Sequence, residues 1–304
     1  MVEIFEVGPR DGLQNEKHIL SLEDKIWLIE ALSIAGIKSM EVGAFVRADK
    51  IPQMADSDLI PKGLKKNLNT EFWYLVPNLK GLKRALAIGV KNIAIFTAVS
   101  DSFNRNNIGL SVEESFQVID QVVERAIHAG VKIRAYVSTV WGCPFEGRIS
   151  PAKALPILER LLALPIEQLS IGDTIGVAAP TGVREILSPL LRSHPTVKLA
   201  VHFHDTRGVA LANALASYEL GIRTFDSSIG GLGGCPFAPG ASGNLATEDL
   251  AYFFKEMGID TGINYSKLCE TSLELSKRMG NRALPSRALK AYQVNHTSNN
   301  IWDK

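Results

Sequence analysis

The sequence lacks the features that would mark it for a membrane, a nucleic acid or an oxidising compartment. No apolar run approaches the ~20 residues that a membrane-spanning helix needs. No charge of one sign dominates: 33 Lys+Arg stand against 32 Asp+Glu, a net charge of +1. That balance leaves no basic footprint for a phosphate backbone or an anionic lipid surface, so neither nucleic acid nor membrane is expected as a partner. Only three cysteines occur, Cys143, Cys235 and Cys269; so few, and an odd number, they argue against a disulfide framework and fit a reducing compartment. Residues Met1–Glu6 carry an acidic, strand-like pattern without a basic start or an apolar signal core. The expected location is therefore the cytoplasm. No low-complexity stretch or linker breaks the chain, and no Gly-x-Gly-x-x-Gly follows the first strand-like segment, which counts against an open dinucleotide-binding sheet.

What is present is a strict alternation. Strand-like segments fall near Val2–Val7, Ser39–Gly43, Glu71–Val76, Asn92–Thr97, Lys132–Ser138, Gln168–Ile171, Lys198–His202 and Arg223–Ser227. Helical patterns lie between them, for example Leu22–Ala35, Val112–Ala129, Pro151–Leu162 and Ala210–Tyr218. Gly36, Gly89, Gly130 and Gly221 each sit where a helix would stop before the next strand. Eight strands alternating with helices predict an α/β fold, a single (β/α)8 TIM barrel. The 304 residues suit one domain, with the barrel over about 1–258 and a C-terminal helical extension over about 259–304. Alternation within strands agrees with closure. In Lys198–His204, Leu199, Val201 and Phe203 share one face, while Lys198, Ala200, His202 and His204 share the other. In the fifth strand Lys132, Arg134 and Tyr136 oppose Ile133, Ala135 and Val137. The polar faces should meet the barrel axis.

Three segments carry chemistry. His202-Phe203-His204-Asp205 puts two imidazoles on one face at a strand end, as metal ligands or as polar core residues. Gly8-Pro9-Arg10-Asp11-Gly12 follows the first strand and reads as a charged pair on a tight turn, or as an ordinary surface turn. In a closed barrel Asp11 could complete a metal shell. Gly230–Asn244 has six glycines among its first fourteen residues, which predicts a mobile loop carrying Cys235. Asn244 at its end reads either as an N-cap for the following helix or as a ligand. Gly142-Cys143-Pro144-Phe145 recurs as Gly234-Cys235-Pro236-Phe237, a similarity of turns rather than a duplication.

Taken together, Gly8–Glu16, His202-Phe203-His204-Asp205-Thr206 and Gly231–Leu250 resemble the 3-hydroxy-3-methylglutaryl-CoA lyases of the DRE-TIM metallolyase superfamily, over Glu6 to about Leu275. The resemblance implies a carbon–carbon lyase that cleaves 3-hydroxy-3-methylglutaryl-CoA to acetyl-CoA and acetoacetate, in leucine degradation or ketone-body formation. It implies an acyl-CoA partner, a homodimer, and Mg²⁺ or Mn²⁺ held by Asp11, His202, His204 and Asn244. Arg10 would neutralise the enolate oxygen and Cys235 would serve proton transfer, with Glu41 as an active-site carboxylate. Glu6, Gln14, Arg134 and Asp173 would lie at the substrate. Whether Asp11, His204 or Cys235 takes the hydroxyl proton stays open. By ligand type alone, two imidazoles favour Mn²⁺ or Zn²⁺ over Mg²⁺.

The sequence departs from that pattern at Ala44-Phe45-Val46-Arg47-Ala48-Asp49-Lys50, where most such lyases carry serines. Drift in a surface loop and an acyl pocket altered for a longer branched 3-hydroxyglutaryl-CoA both fit. Other readings are a DRE-TIM aldolase or Claisen-type synthase, a facial-triad iron oxygenase, or a silent barrel used for binding. A Schiff-base aldolase would need a lysine at the active end, whereas Lys132 and Lys198 fall toward strand starts.

Overall fold

In the computed structural model, residues 1–195, 198–234 and 243–297 are described. Eight parallel strands close into a barrel: β1 (Glu3–Glu6), β2 (Ser39–Ala44), β3 (Glu71–Leu75), β4 (Asn92–Ala98), β5 (Lys132–Ser138), β6 (Gln168–Asp173), β7 (Leu199–Phe203) and β8 (Thr224–Ser227). Closure is made by β1, which pairs with β8 through Glu3↔Thr224 to Glu6↔Ser227 and with β2 through Phe5↔Ser39 and Glu6↔Met40. A short antiparallel pair, Gly142–Cys143 with Gly147–Arg148, decorates the loop after β5.

The helices begin and end for local reasons. Ser21 accepts a hydrogen bond from Asp24 N to start Leu22–Ile34, and Ser111 and Glu114 form a reciprocal capping box for Val112–His128. Pro151 and Pro180 open helices where no N–H is missed. Gly36, Gly89, Gly130 and Gly221 all adopt positive φ, from 67° to 104°, as their positions before the strands require. The strand faces divide as their alternation demands: Leu199, Val201 and Phe203 are buried against the helical layer. Inside the barrel the filling is mixed. Phe5, Val7 and Trp73 form an apolar plug, beside which the guanidinium of Arg134 lies 3.9 Å from the Phe5 ring centre and 4.7 Å from that of Tyr136. Lys132 stays at the strand starts, paired with Glu71 at 2.9 Å.

Two helices, Tyr265–Arg278 and Arg287–Thr297, follow the last barrel helix Thr247–Glu256. The first is tied to the barrel's N-terminal end, where Asn264 N donates to Ala35 O and Val2 N to Asp260 O, and the second to its carboxyl end, where Ser286 N donates to Gly230 O and Arg287 to Asp205. Among the described residues, no helix is long and apolar enough to cross a membrane.

Candidate metal and active site

The site gathers at the carboxyl ends of the strands. After β1 the chain makes one wide turn, Gly8–Gly12, in which Val7 O accepts from Arg10 N, Asp11 N and Gly12 N. Gly8 N donates to the Glu6 carboxylate at 2.7 Å. A Cβ on Gly8 would lie 2.6 Å from that oxygen and 2.7 Å from Ile229, so no larger residue allows this approach. Arg10 and Asp11 leave the turn side by side. Arg10 donates through Nε to Glu41, and through Nη1 to Asp11 at 2.8 Å and to Gln14 at 3.4 Å. Gln14 returns a hydrogen bond to Asp11 at 3.0 Å.

The end of β7 meets this turn. His202 and His204 have ring centres 5.3 Å apart. With Asp11 they offer three ligand atoms that all lie within 4.8 Å of one another. Asn244 bridges to His204 across the strand end, and its Nδ2 donates to Asp11 at 2.8 Å and to Leu232 O at 3.0 Å. It is not an N-cap: the helix it precedes starts at Thr247 with Ala246 as the capping position. Asn244 Oδ1 and His204 Nδ1 are both buried and without a hydrogen-bond partner. Buried polar atoms are seldom left so. Two imidazole nitrogens and a carboxylate oxygen within 4.8 Å of one another, with the Asn244 amide bonded to that carboxylate, suit a divalent cation.

The electrostatics fit the same use. Burial pushes His204 down to about 4, helped by its neighbour His202, so its imidazole is neutral. Burial works against ionised Asp11, yet Arg10 and His202 overcome it and hold the carboxyl below its usual range. His202 is raised: burial opposes its charged form, but the hydrogen bond and charge of Asp226 prevail. Burial pushes Glu41 up against the pull of Arg10, and one of its oxygens has no partner.

The other predicted residues fall in distinct places. Glu6 is fully buried and both oxygens are engaged, by Gly8 N, Ile229 N and the Thr247 hydroxyl at 2.6 Å. It fastens the Arg10–Asp11 turn to the stem of the glycine-rich loop. Arg134 is fully buried and forms a forked pair with Asp226 at 2.5 and 3.2 Å. Asp173 accepts from Val177 N and Ala178 N, both at 2.9 Å, and so shapes the turn after β6. Cys235 lies outside the described residues. In the divergent Ala44–Lys50 stretch, Arg47 and Asp49 are exposed and pair with each other. Ala44 N donates to Ser57 Oγ at 3.0 Å.

Two buried carboxylates at the site's edge escaped the sequence reading, Asp226 and Glu248. Asp226 shares the inward face of β8 with Thr224, a parity that could have drawn attention to it. Glu248 accepts from Gly230 N at 2.9 Å and from the Ser272 hydroxyl, and burial pushes it up to about 8. That shift has a stability consequence. From the ordinary carboxyl value of 4.5 up to about 8, the unfolded chain has released a proton that the folded chain keeps, so stability falls as pH rises through that window. Glu248→Gln, which keeps an acceptor for Gly230 and Ser272, should lose less melting temperature between pH 5 and 8.5 than the parent. Melting curves that run parallel across that range would refute the assignment.

A closed parallel barrel with two imidazoles, a carboxylate and an amide converging at its strand ends has the form of a metal-dependent barrel enzyme. The HMGL-like family model matches residues 1–274. The chain belongs to this family, that of the hydroxymethylglutaryl-CoA lyases within the DRE-TIM superfamily. It is 47% identical over 281 residues to the mitochondrial hydroxymethylglutaryl-CoA lyase of Bos taurus, covering 92% of this chain and 86% of that protein. The HMG-CoA lyase structure from Bacillus subtilis superposes with a TM-score of 0.92 at 43% identity, over 96% of this chain and 98% of the other. An HMG-CoA lyase from Acinetobacter baumannii, in complex with coenzyme A and 3-methylmalate, gives a TM-score of 0.90 at 38% identity, covering 96% and 95%.

Proposed function

We propose that the chain cleaves 3-hydroxy-3-methylglutaryl-CoA to acetyl-CoA and acetoacetate. The observation that carries this reading is Arg10, a fixed cation beside the Asp11–His202–His204 cluster. The reaction removes a proton from a tertiary hydroxyl, breaks the adjacent carbon–carbon bond and leaves its electron pair as the enolate of acetyl-CoA. Protonation of that carbon completes the second product. Asp11, His202, His204 and Asn244 would hold the ion, and a divalent cation bound there lowers the pKa of a coordinated hydroxyl. Arg10 faces the charge that grows on the thioester oxygen. Glu41, Asp11 and Gln14 keep its guanidinium in place before substrate arrives. Cys235 would serve proton transfer, carried on a loop whose stem is fastened by Glu6 and Glu248. The coenzyme A in the Acinetobacter baumannii structure supports an acyl-CoA substrate.

The ion would be Mg²⁺ or Mn²⁺, with the two imidazoles favouring Mn²⁺. Arg47 and Asp49 face solvent and neutralise each other, which supports the methyl-bearing substrate over a longer branched one. Cys143 and Cys269 are buried free thiols, in keeping with a reducing cytoplasm and a role in leucine degradation there. The test is acetoacetate release from 3-hydroxy-3-methylglutaryl-CoA with Mg²⁺ or Mn²⁺, and its abolition by EDTA. Folded, metal-loaded protein that releases none would overturn this substrate and direct assays to longer 3-hydroxyglutaryl thioesters.

A further inference from the structure

We infer that Asp226 is a positioning residue for the metal site: from inside the barrel it holds His202 as the Nδ1–H tautomer and so presents Nε2 toward Asp11 and His204. The inference rests on the reading of that cluster as a metal site. Strand register supplies the first argument. Asp226 and His202 are direct cross-strand partners on β8 and β7, so their inward side chains lie together. The contact itself is His202 Nδ1 to Asp226 Oδ2 at 3.4 Å.

Asp226 cannot swing away from that contact. Arg134 grips both of its oxygens, and Ser170 Oγ donates to Oδ2 at 2.7 Å. Arg134 is in turn fixed by Gln168 at 2.8 Å and by the rings of Phe5 and Tyr136. The carboxylate is therefore a fully buried, clamped acceptor, and an imidazole nitrogen facing such an acceptor carries the proton. The other ring nitrogen keeps its lone pair for a cation. His204 has no such partner, since its Nδ1 is buried and unbonded. The two histidines thus differ: one is oriented by a carboxylate behind it and the other is not.

The first measurement is the imidazole ¹⁵N spectrum of the metal-free parent at pH 9, with His202→Gln used to assign the signals. An Nδ1–H tautomer for His202 supports the inference, and an Nε2–H tautomer overturns it. The second is Mn²⁺ affinity, read by the loss of the free-ion EPR signal. Asp226→Asn should weaken binding roughly 10–100-fold, the range for losing such an outer partner. Ser217→Ala, which removes a buried hydroxyl bonded only within its own helix, should keep the parent affinity. Parent affinity in folded Asp226→Asn, or an equal loss in Ser217→Ala, would overturn the inference. If Asp226→Asn does not fold, the parent spectrum alone decides. A parent that binds no Mn²⁺ would sink the metal reading instead, a result distinct from a wrong tautomer.

Discussion

Replacing Arg10 with glutamine should lower kcat by about 10²–10³-fold, the cost of deleting one preorganised donor at a developing oxyanion. KM should change little. The asymmetry follows from when the interaction matters: a cation facing a neutral thioester gains little in the ground state and much as the oxygen becomes an enolate. Arg10 is suited to this because three neighbours fix its guanidinium in advance. The fold should tolerate the change. The turn's backbone bonds converge on Val7 O and do not involve the Arg10 side chain. Glu41 loses its partner, but burial already pushes its pKa up, so it can take a proton rather than stay as an unpaired buried charge. Arg10→Lys keeps the charge without the planar fork and should fall between parent and glutamine variant. Steady-state kinetics decide the matter: a glutamine variant with parental kcat would remove Arg10 from the enolate's surroundings.

The barrel was legible in the sequence because its strands obey simple rules. Alternating faces on β5 and β7, and glycines at the helix ends, depend on local sterics and on burial with a period of two. Strand limits moved in both directions: β1, β3 and β8 lose end residues of the pattern, whereas β6 runs to Asp173 because Gly172 and Asp173 pair with His202 and Phe203, contacts no local pattern contains. The histidine pair and the Arg10–Asp11 turn could be read as candidates, but their meeting could not, since β1 and β7 become close only when the barrel closes with β8 between them. For Asn244 the sequence left two readings, cap or ligand. The structure excludes the cap, because the helix starts at Thr247 while Asn244 bridges to His204. Asp226 and Glu248 did not stand out for a similar reason. Each looks like any polar residue in a strand or in a first helical turn. Their importance comes from partners far away in the chain, Arg134 and His202 for one, Gly230 and Ser272 for the other.

His202→Ala and His204→Ala should each reduce metal content after purification and dialysis to a small fraction of the parent's. Loss of an outer partner weakens a metal site by roughly 10–100-fold, and removing the ligand itself must cost more than that. Burial adds to the effect. Asp11 is held anionic in this pocket by Arg10 and His202, and His204 is neutral there. A missing imidazole cannot be replaced cheaply by solvent on the barrel side, where Asp226 is buried. The two variants should differ in one respect. His202→Ala also removes a donor from the clamped Asp226, whereas His204→Ala removes a ring with no hydrogen bond at Nδ1. His202→Ala should therefore lose more thermal stability without metal than His204→Ala, although both bury similar rings. Elemental analysis and apo melting curves test the two halves separately. Full metal occupancy in either variant would strike that histidine from the ligand set, and equal apo stabilities would show that the His202–Asp226 contact contributes little to the fold.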